Sequence, residues 1–269
     1  MLTITGTGMA GRKFGDFVAT VGNLLPDGGG MKYDDIGISM TKEASAVYVV
    51  KGRALAQSGT TTISLNLDGS GAEDATAVKL RPDAGQGSSY QFGDIVQGDQ
   101  DVTGDGINDV LVSHYVYDVF TQTQVYVFSG AALASSAGAT LQVLASGDAG
   151  DGVSLGTNGL RIKTAGSFFA LAGNFDNAAS DLGQSVDLVY SDFLTAPELG
   201  HVYVRLNHQD DAEDGNYYPH TDVVIIDPFT ADNLDFGGYN FRPVGDINGD
   251  GTPDLVVGNK LQGYSVVVY

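Results

Sequence analysis

The chain has 269 residues, 42% of them hydrophobic, no cysteine, and 13 Lys and Arg against 33 Asp and Glu, for a formal charge of −20. These values exclude disulfide and thiol chemistry, a span of roughly 18 consecutive apolar residues, and the basic groups that docking on nucleic-acid phosphates or anionic lipid requires. Only four of the acids are Glu (Glu43, Glu73, Glu198 and Glu213), so 33 − 4 leaves 29 Asp, the acid of turns and metal loops rather than of helices.

In chain order, Met1-Leu2-Thr3-Ile4 shows neither a basic nor an apolar leader region, so no signal peptide is visible. Leu2–Thr5 alternates and reads as a short strand. Phe14-Gly15 then opens a pattern that recurs at Phe92-Gly93, Ala165-Gly166 and Phe236-Gly237. The glycines Gly15, Gly93, Gly166 and Gly237 are 78, 73 and 71 residues apart, which is a fourfold repeat. A short strand follows each marker, as in Phe17–Val21 and Phe168–Leu171. After an acidic loop comes a second strand: Asp35–Ile38, Asp109–Val112, Asp187–Tyr190 or Asp254–Val257. A third reads Ala46–Val50, Gln124–Phe128, His201–Val204 or Ser265–Val268. A fourth apolar segment, such as Val78–Leu80, Leu160–Ile162 or Val223–Ile226, leads into the next unit. Four short strands per unit with no helical period predict an all-β fold of propeller blades in one domain, residues 1–269. The last unit stops after its third strand, so Leu2–Thr5 is expected to pair with Ser265–Val268 and complete it, removing an open sheet edge. A single four-bladed ring is the expected closure. Two chains forming eight blades, or a larger ring of which this is part, are the other closures.

The acidic loops carry the chemistry. In Gly245-Asp246-Ile247-Asn248-Gly249-Asp250-Gly251-Thr252-Pro253-Asp254, the residues Asp246, Asn248, Asp250 and Asp254 occupy positions 1, 3, 5 and 9. Gly251 permits the bend, and the Thr252 carbonyl adds a backbone oxygen. Ca²⁺ takes six to eight oxygens at about 2.3–2.6 Å, which such a turn supplies. Position 12 is Val257, inside a strand, so the site is strand–loop–strand rather than an EF-hand. Asp101, Thr103, Asp105, Gly106, Ile107 and Asp109 repeat the pattern ahead of Val110-Leu111-Val112. Asn23, Asp27 and Asp35 in the first unit, and Asn174, Asp176 and Asp187 in the third, form weaker versions with insertions and a missing position-3 or position-5 ligand.

Phe-Gly, then Gly-Asp-Ile-Asn-Gly-Asp-Gly-Thr-Pro-Asp-Leu, then a Val-Tyr-Val strand resembles the FG-GAP repeat of integrin α-subunit propellers and of many secreted bacterial proteins. Leu155-Gly156-Thr157-Asn158-Gly159-Leu160-Arg161-Ile162 is similar to a linker of the bacterial form. The resemblance implies Ca²⁺ held by Asp101, Thr103, Asp105, Ile107 (carbonyl) and Asp109, and by Asp246, Asn248, Asp250, Thr252 (carbonyl) and Asp254. It also implies an extracellular or cell-surface setting.

No Gly-x-Ser-x-Gly and no His-Glu-x-x-His appears, so a non-enzymatic role is expected. Loops opposite the acidic ones hold His114, Tyr115, Tyr117, Phe120, Phe193 and Tyr239, aromatic candidates for stacking on a glycan or contacting a protein. Their plainer role is packing between blades. The expected function is a calcium-stabilised extracellular binding module. A propeller-type polysaccharide-degrading enzyme using His114, Tyr115 and Tyr117, and a structural spacer in a large adhesin, are the alternatives. Self-association to complete a larger ring is a further expectation.

Overall fold

A computed structural model describes residues 3–7, 13–26, 33–41, 45–52, 62–66, 77–82, 91–101, 105–115, 123–136, 140–142, 159–164, 168–173, 187–192, 201–205, 223–226, 236–259 and 263–269. They are mostly strands, with helical residues at Gly52 and Gly130–Ala134, so the expected all-β class holds.

Strand β1 (Thr3–Thr7) pairs in parallel with β5 (Thr62–Asn66). The first large sheet is an antiparallel meander of β2 (Phe14–Gly22), β3 (Asp35–Met40), β4 (Ala46–Val50) and β6 (Ala77–Arg81), to whose edge β10 (Thr140–Gln142) adds in parallel. The second runs β7 (Gln91–Gln100), β8 (Asp109–Tyr115), β9 (Thr123–Phe128) and β11 (Gly159–Thr164). The third is β12 (Phe168–Gly173), β13 (Asp187–Asp192), β14 (His201–Arg205) and β15 (Val223–Ile226). The fourth is β16 (Phe236–Gly245), β17 (Asp254–Asn259) and β18 (Tyr264–Val268). Helix α1 (Gly130–Ala134) follows β9.

The four repeated units are therefore four consecutive sheets. The completion of the fourth by Leu2–Thr5 is corrected: Ile4 pairs with Ile63, not with β18, and packs on the Ile38, Met40 and Tyr48 cluster of the first sheet. An alternating strand fits any open edge, and burial of Ile4 on that cluster favours this one.

The Phe-Gly marker makes a bulge. Pairing of β2 with β3 jumps from Phe14 to Val18, and that of β7 with β8 from Phe92 to Val96. Gly15 and Gly93 have φ of +85° and +96° there, which L side chains resist. A serine four residues past the position-9 Asp closes each bulge: Ser39 Oγ accepts from the Phe17 amide at 2.9 Å, and Ser113 Oγ from the Ile95 amide at 2.8 Å. Ser191 is the third of the series and is fully buried, while the fourth unit has Gly258.

Alternation sends the two faces of each sheet to different neighbours. Val47 and Val49 of the first unit meet Val96, Val110, Val112, Tyr126 and Phe128 of the second in one core. Phe241, Leu255 and Val257 of the fourth meet Ala170, Val189, Val202 and Val204 of the third. The initial strands β2, β7, β12 and β16 pack in succession. Among the described residues no contact of comparable extent joins β2 to β16, so a closed four-bladed ring is not shown by them.

Candidate cation loops and the aromatic face

The two complete acidic loops connect the first strand of a unit to its second. In the second unit, Asp101 turns inward: Oδ1 accepts from the Asp105 amide at 3.2 Å and Oδ2 from the Gly106 amide at 2.8 Å. Gly106 has φ +84°, which makes the bend. Asp105 Oδ1 accepts from the Ile107 amide at 2.9 Å. Its Oδ2 accepts from Ser129 Oγ at 2.6 Å and the Ala131 amide at 3.0 Å, both at the start of α1. Asp109 is fully buried, and its Oδ1 accepts from the Gly130 amide at 2.8 Å. Ligand atoms of Asp101, Asp105 and Asp109 lie within 4.8 Å of one another. Two oxygens on one Ca²⁺ stand at most about 4.6–5.2 Å apart, twice the usual bond length. The three carboxylates thus lie within the span that one cation can bridge. Thr103 lies outside the described residues. Ile107, whose carbonyl was the position-7 candidate, packs its side chain against the core.

In the fourth unit the same motif closes on itself. Asp246 Oδ1 accepts from the amides of Gly249 (2.6 Å) and Asp250 (3.1 Å), and Oδ2 from that of Gly251 (2.8 Å). Asn248 Oδ1 accepts from the Asp250 amide at 2.8 Å, while its Nδ2 donates to Asp250 Oδ2 at 2.9 Å. Asp250 Oδ1 accepts from the Thr252 amide at 2.8 Å. That bond, followed by the one from Asn248, holds the Asp250 carboxyl below its usual range, so the exposed loop keeps this charge as acid is added. Gly249 and Gly251, at φ +81° and +93°, supply the two tight bends. Asp254 is fully buried; its Oδ2 accepts from the amides of Ile247 (2.7 Å) and Asn248 (3.2 Å), and its Oδ1 has no hydrogen-bond partner. A buried carboxylate oxygen without a partner is costly, and a cation would satisfy it. The acids here are gathered around amides rather than into a trio: among the described residues, only the second unit brings three together.

The first unit uses its position-9 acid differently. Asp35 Oδ2 accepts from the amides of Leu24 (2.8 Å) and Leu25 (2.7 Å), and Oδ1 from that of Gly52 (2.7 Å). Both oxygens of this fully buried carboxylate are taken by backbone donors, so Asp35 is a clasp between the loop and the turn after β4. Asn23 is half-buried in that loop, and Asp27 lies outside the described residues. In the third unit Asp187 pairs with Gly173 across β13 and β12, while Asn174 and Asp176 lie outside the described residues.

A second feature of the clasp escaped the reading by motif. Gly52 and Gly130 occupy the same place, two residues after the third-strand residue paired with Ile36 or Val110. A Cβ on Gly52 would collide with the Asp34 carbonyl oxygen, and one on Gly130 with that of Asn108. The signal was present as Val-Tyr-Val-Val-Lys-Gly and Val-Tyr-Val-Phe-Ser-Gly.

The aromatic face needs three corrections of placement, for His114, Tyr115 and Tyr239, all of which lie in strands. His114 is not in a loop: β8 extends to Tyr115, and His114 pairs with Phe92 and Gln124, fully buried. Its ring lies 5.9 Å from that of Phe92 and 5.8 Å from that of Tyr126, within the aromatic core that also holds Phe128. Tyr115 ends the same strand and Tyr239 lies within β16. Tyr117, Phe120 and Phe193 lie outside the described residues.

Against known families, residues 243–269 match the FG-GAP repeat. The matched stretch holds the Asp246–Asp254 loop, β17 and β18. No curated protein matches the chain. No helix among the described residues is long and apolar enough to cross a membrane.

Proposed function

We propose that the chain is a calcium-stabilised β-propeller module that works outside the cell and recognises a glycan or a protein partner without catalysing a reaction. The observation that carries the calcium assignment is the convergence of Asp101, Asp105 and Asp109 within 4.8 Å at a strand-to-strand turn. The match of residues 243–269 to the FG-GAP repeat supports the propeller, as do four meander sheets whose initial strands pack in succession. Asp101, Asp105 and Asp109 would hold one ion, and Asp246, Asn248, Asp250 and Asp254 a second. Its chemistry is structural: it neutralises carboxylates that repel one another and fixes the turn between two strands.

The recognition role draws on the repeat's occurrence in extracellular proteins and on the aromatic residues of the opposite face. Burial of His114 among Phe92 and Tyr126 counts against its use by the polysaccharide-degrading alternative, for which it was a candidate with Tyr115 and Tyr117. Calcium titrated into metal-free protein should bind with two equivalents. Saturation at 100 times Kd stabilises by about 2.7 kcal/mol per site, which chelation should abolish as a fall in Tm of several degrees. An unchanged melt with no heat of binding refutes the calcium assignment. A glycan array read alongside a product assay separates binding from degradation: bound glycan with no released oligosaccharide supports a recognition module.

A further inference from the structure

The residue just before the clasp glycine differs between the first two units: Lys51 precedes Gly52 and Ser129 precedes Gly130. Each reaches into the acidic loop of its own unit. Ser129 is nearly buried; its Oγ donates to Asp105 Oδ2 at 2.6 Å and accepts from the Ala132 amide at 3.3 Å. That short bond to a carboxylate, with the Ala131 amide on the same oxygen at 3.0 Å, holds Asp105 beside Asp101 and Asp109. Lys51 instead donates from Nζ to the carbonyl oxygen of Pro26, within the loop of the first unit. This places an ammonium at a loop whose Asp35 has amides on both of its oxygens.

We propose that this position decides whether a loop takes a divalent ion: Ser129 is a positioning residue for the ion of the second unit, and Lys51 is a built-in substitute for one in the first. The inference rests on the calcium reading above and assigns the two loops opposite behaviour. It also links the ion to the core, because α1, which Ser129 caps, inserts Leu133 between the first and second units.

The test is calorimetric titration of calcium chloride into the metal-free chain and into Ser129→Lys, Ser129→Ala and Ser129→Thr, with Tm measured in chelator. Ser129→Lys should lose one equivalent of calcium while melting in chelator at or above the wild-type temperature, because the ammonium replaces the ion. Ser129→Ala should weaken one of the two binding steps by about tenfold, and Ser129→Thr, which keeps the hydroxyl, should restore it. Wild-type binding together with an unaltered isotherm for Ser129→Lys overturns this proposal and leaves the calcium reading standing. Absence of calcium binding by the wild type overturns both. A Ser129→Lys variant that loses the equivalent but melts well below wild type in chelator points to local damage and also counts against it.

Discussion

The second and fourth units carry nearly the same acidic motif and use it differently. Around Asp101–Asp109, Asp105 and Asp109 reach out of the loop to Ser129, Gly130 and Ala131. Around Asp246–Asp254, the loop's acceptors are spent on its own amides, and Asp254 Oδ1 has no partner. The sheets behind them differ too. Leu111 and Val127 of the second unit are fully buried. Val256 and Val267, at the same places in the fourth, are partly exposed, and Val244 on that face is 40% exposed. A ligand motif thus sets where carboxylates start, and the neighbouring segment decides where they end.

The largest test of this contrast is a charge on each sheet face. Leu111→Asp buries an unpaired carboxylate at a fully buried position and should cost more than about 4 kcal/mol, enough to unfold the chain. Val256→Asp, on the partly open face, should cost no more than about 1 kcal/mol. Equal losses in urea titrations would mean that the face of the fourth unit is covered in solution.

Next come the two position-9 acids. Asp109→Ala strands the buried Gly130 amide and should cost about 2–3 kcal/mol in calcium-free buffer. Asp254→Ala frees two less buried amides but also removes an oxygen without a partner, so its cost should stay near 1 kcal/mol. The reverse order would show that Asp254 Oδ1 has a partner in solution.

Smaller effects separate the glycines by mechanism. Gly130→Ala meets the Asn108 carbonyl and Ile107, an overpacking cost of about 1–3 kcal/mol that a larger side chain makes worse. Gly251→Ala has open space but φ +93°, a strain of about 1–2 kcal/mol. Asn tolerates that backbone, so Gly251→Asn should recover part of the loss whereas Gly130→Asn should not. Recovery at both positions would discount the close approach at Gly130.

The sequence made the repeat legible because its cues are local: a Phe-Gly bulge, Asp at alternate loop positions, and Val-rich strands that hold one face whatever lies beyond. The partner of β1 was not legible, since Leu-Thr-Ile-Thr alternation suits any edge and only the burial of Ile4 on the first sheet selects one. Helix α1 escaped because five residues are too few to show a period, and its start is fixed by Ser129 and by carboxylates some two dozen residues earlier. His114 looked like a loop residue because β8 was expected to end at Val112; the strand runs on to Tyr115, where its pairing with Gln91 and Thr123 ends. Spacing identified which acids could ligate, but not the amides that compete for them.

The smallest expected effect concerns the residue after the marker glycine, which is Asp94 in the second unit and Gly238 in the fourth. Burial and, after it, the Asp16 carboxylate push the Asp94 carboxyl above its usual range, with Lys13 opposing. Asp16 accepts from Thr41 Oγ1 at 2.6 Å and faces Lys13 Nζ at 3.6 Å. A raised carboxyl pKa favours the protonated form in the fold. Its contribution is complete below the unfolded-state value of 3.8 and is lost as pH rises through the higher folded value. Asp94→Asn should therefore leave stability unchanged near pH 3 and raise it at pH 7, within the roughly 0.5 kcal/mol expected of a partly exposed group. High salt should shrink the gain by screening Asp16. Urea titrations at the two pH values decide the matter: a gain of equal size at both would assign the effect to shape rather than charge. The fourth unit, with Gly238 in place of the acid, should show no such pH-dependent step when that glycine is changed to Asn.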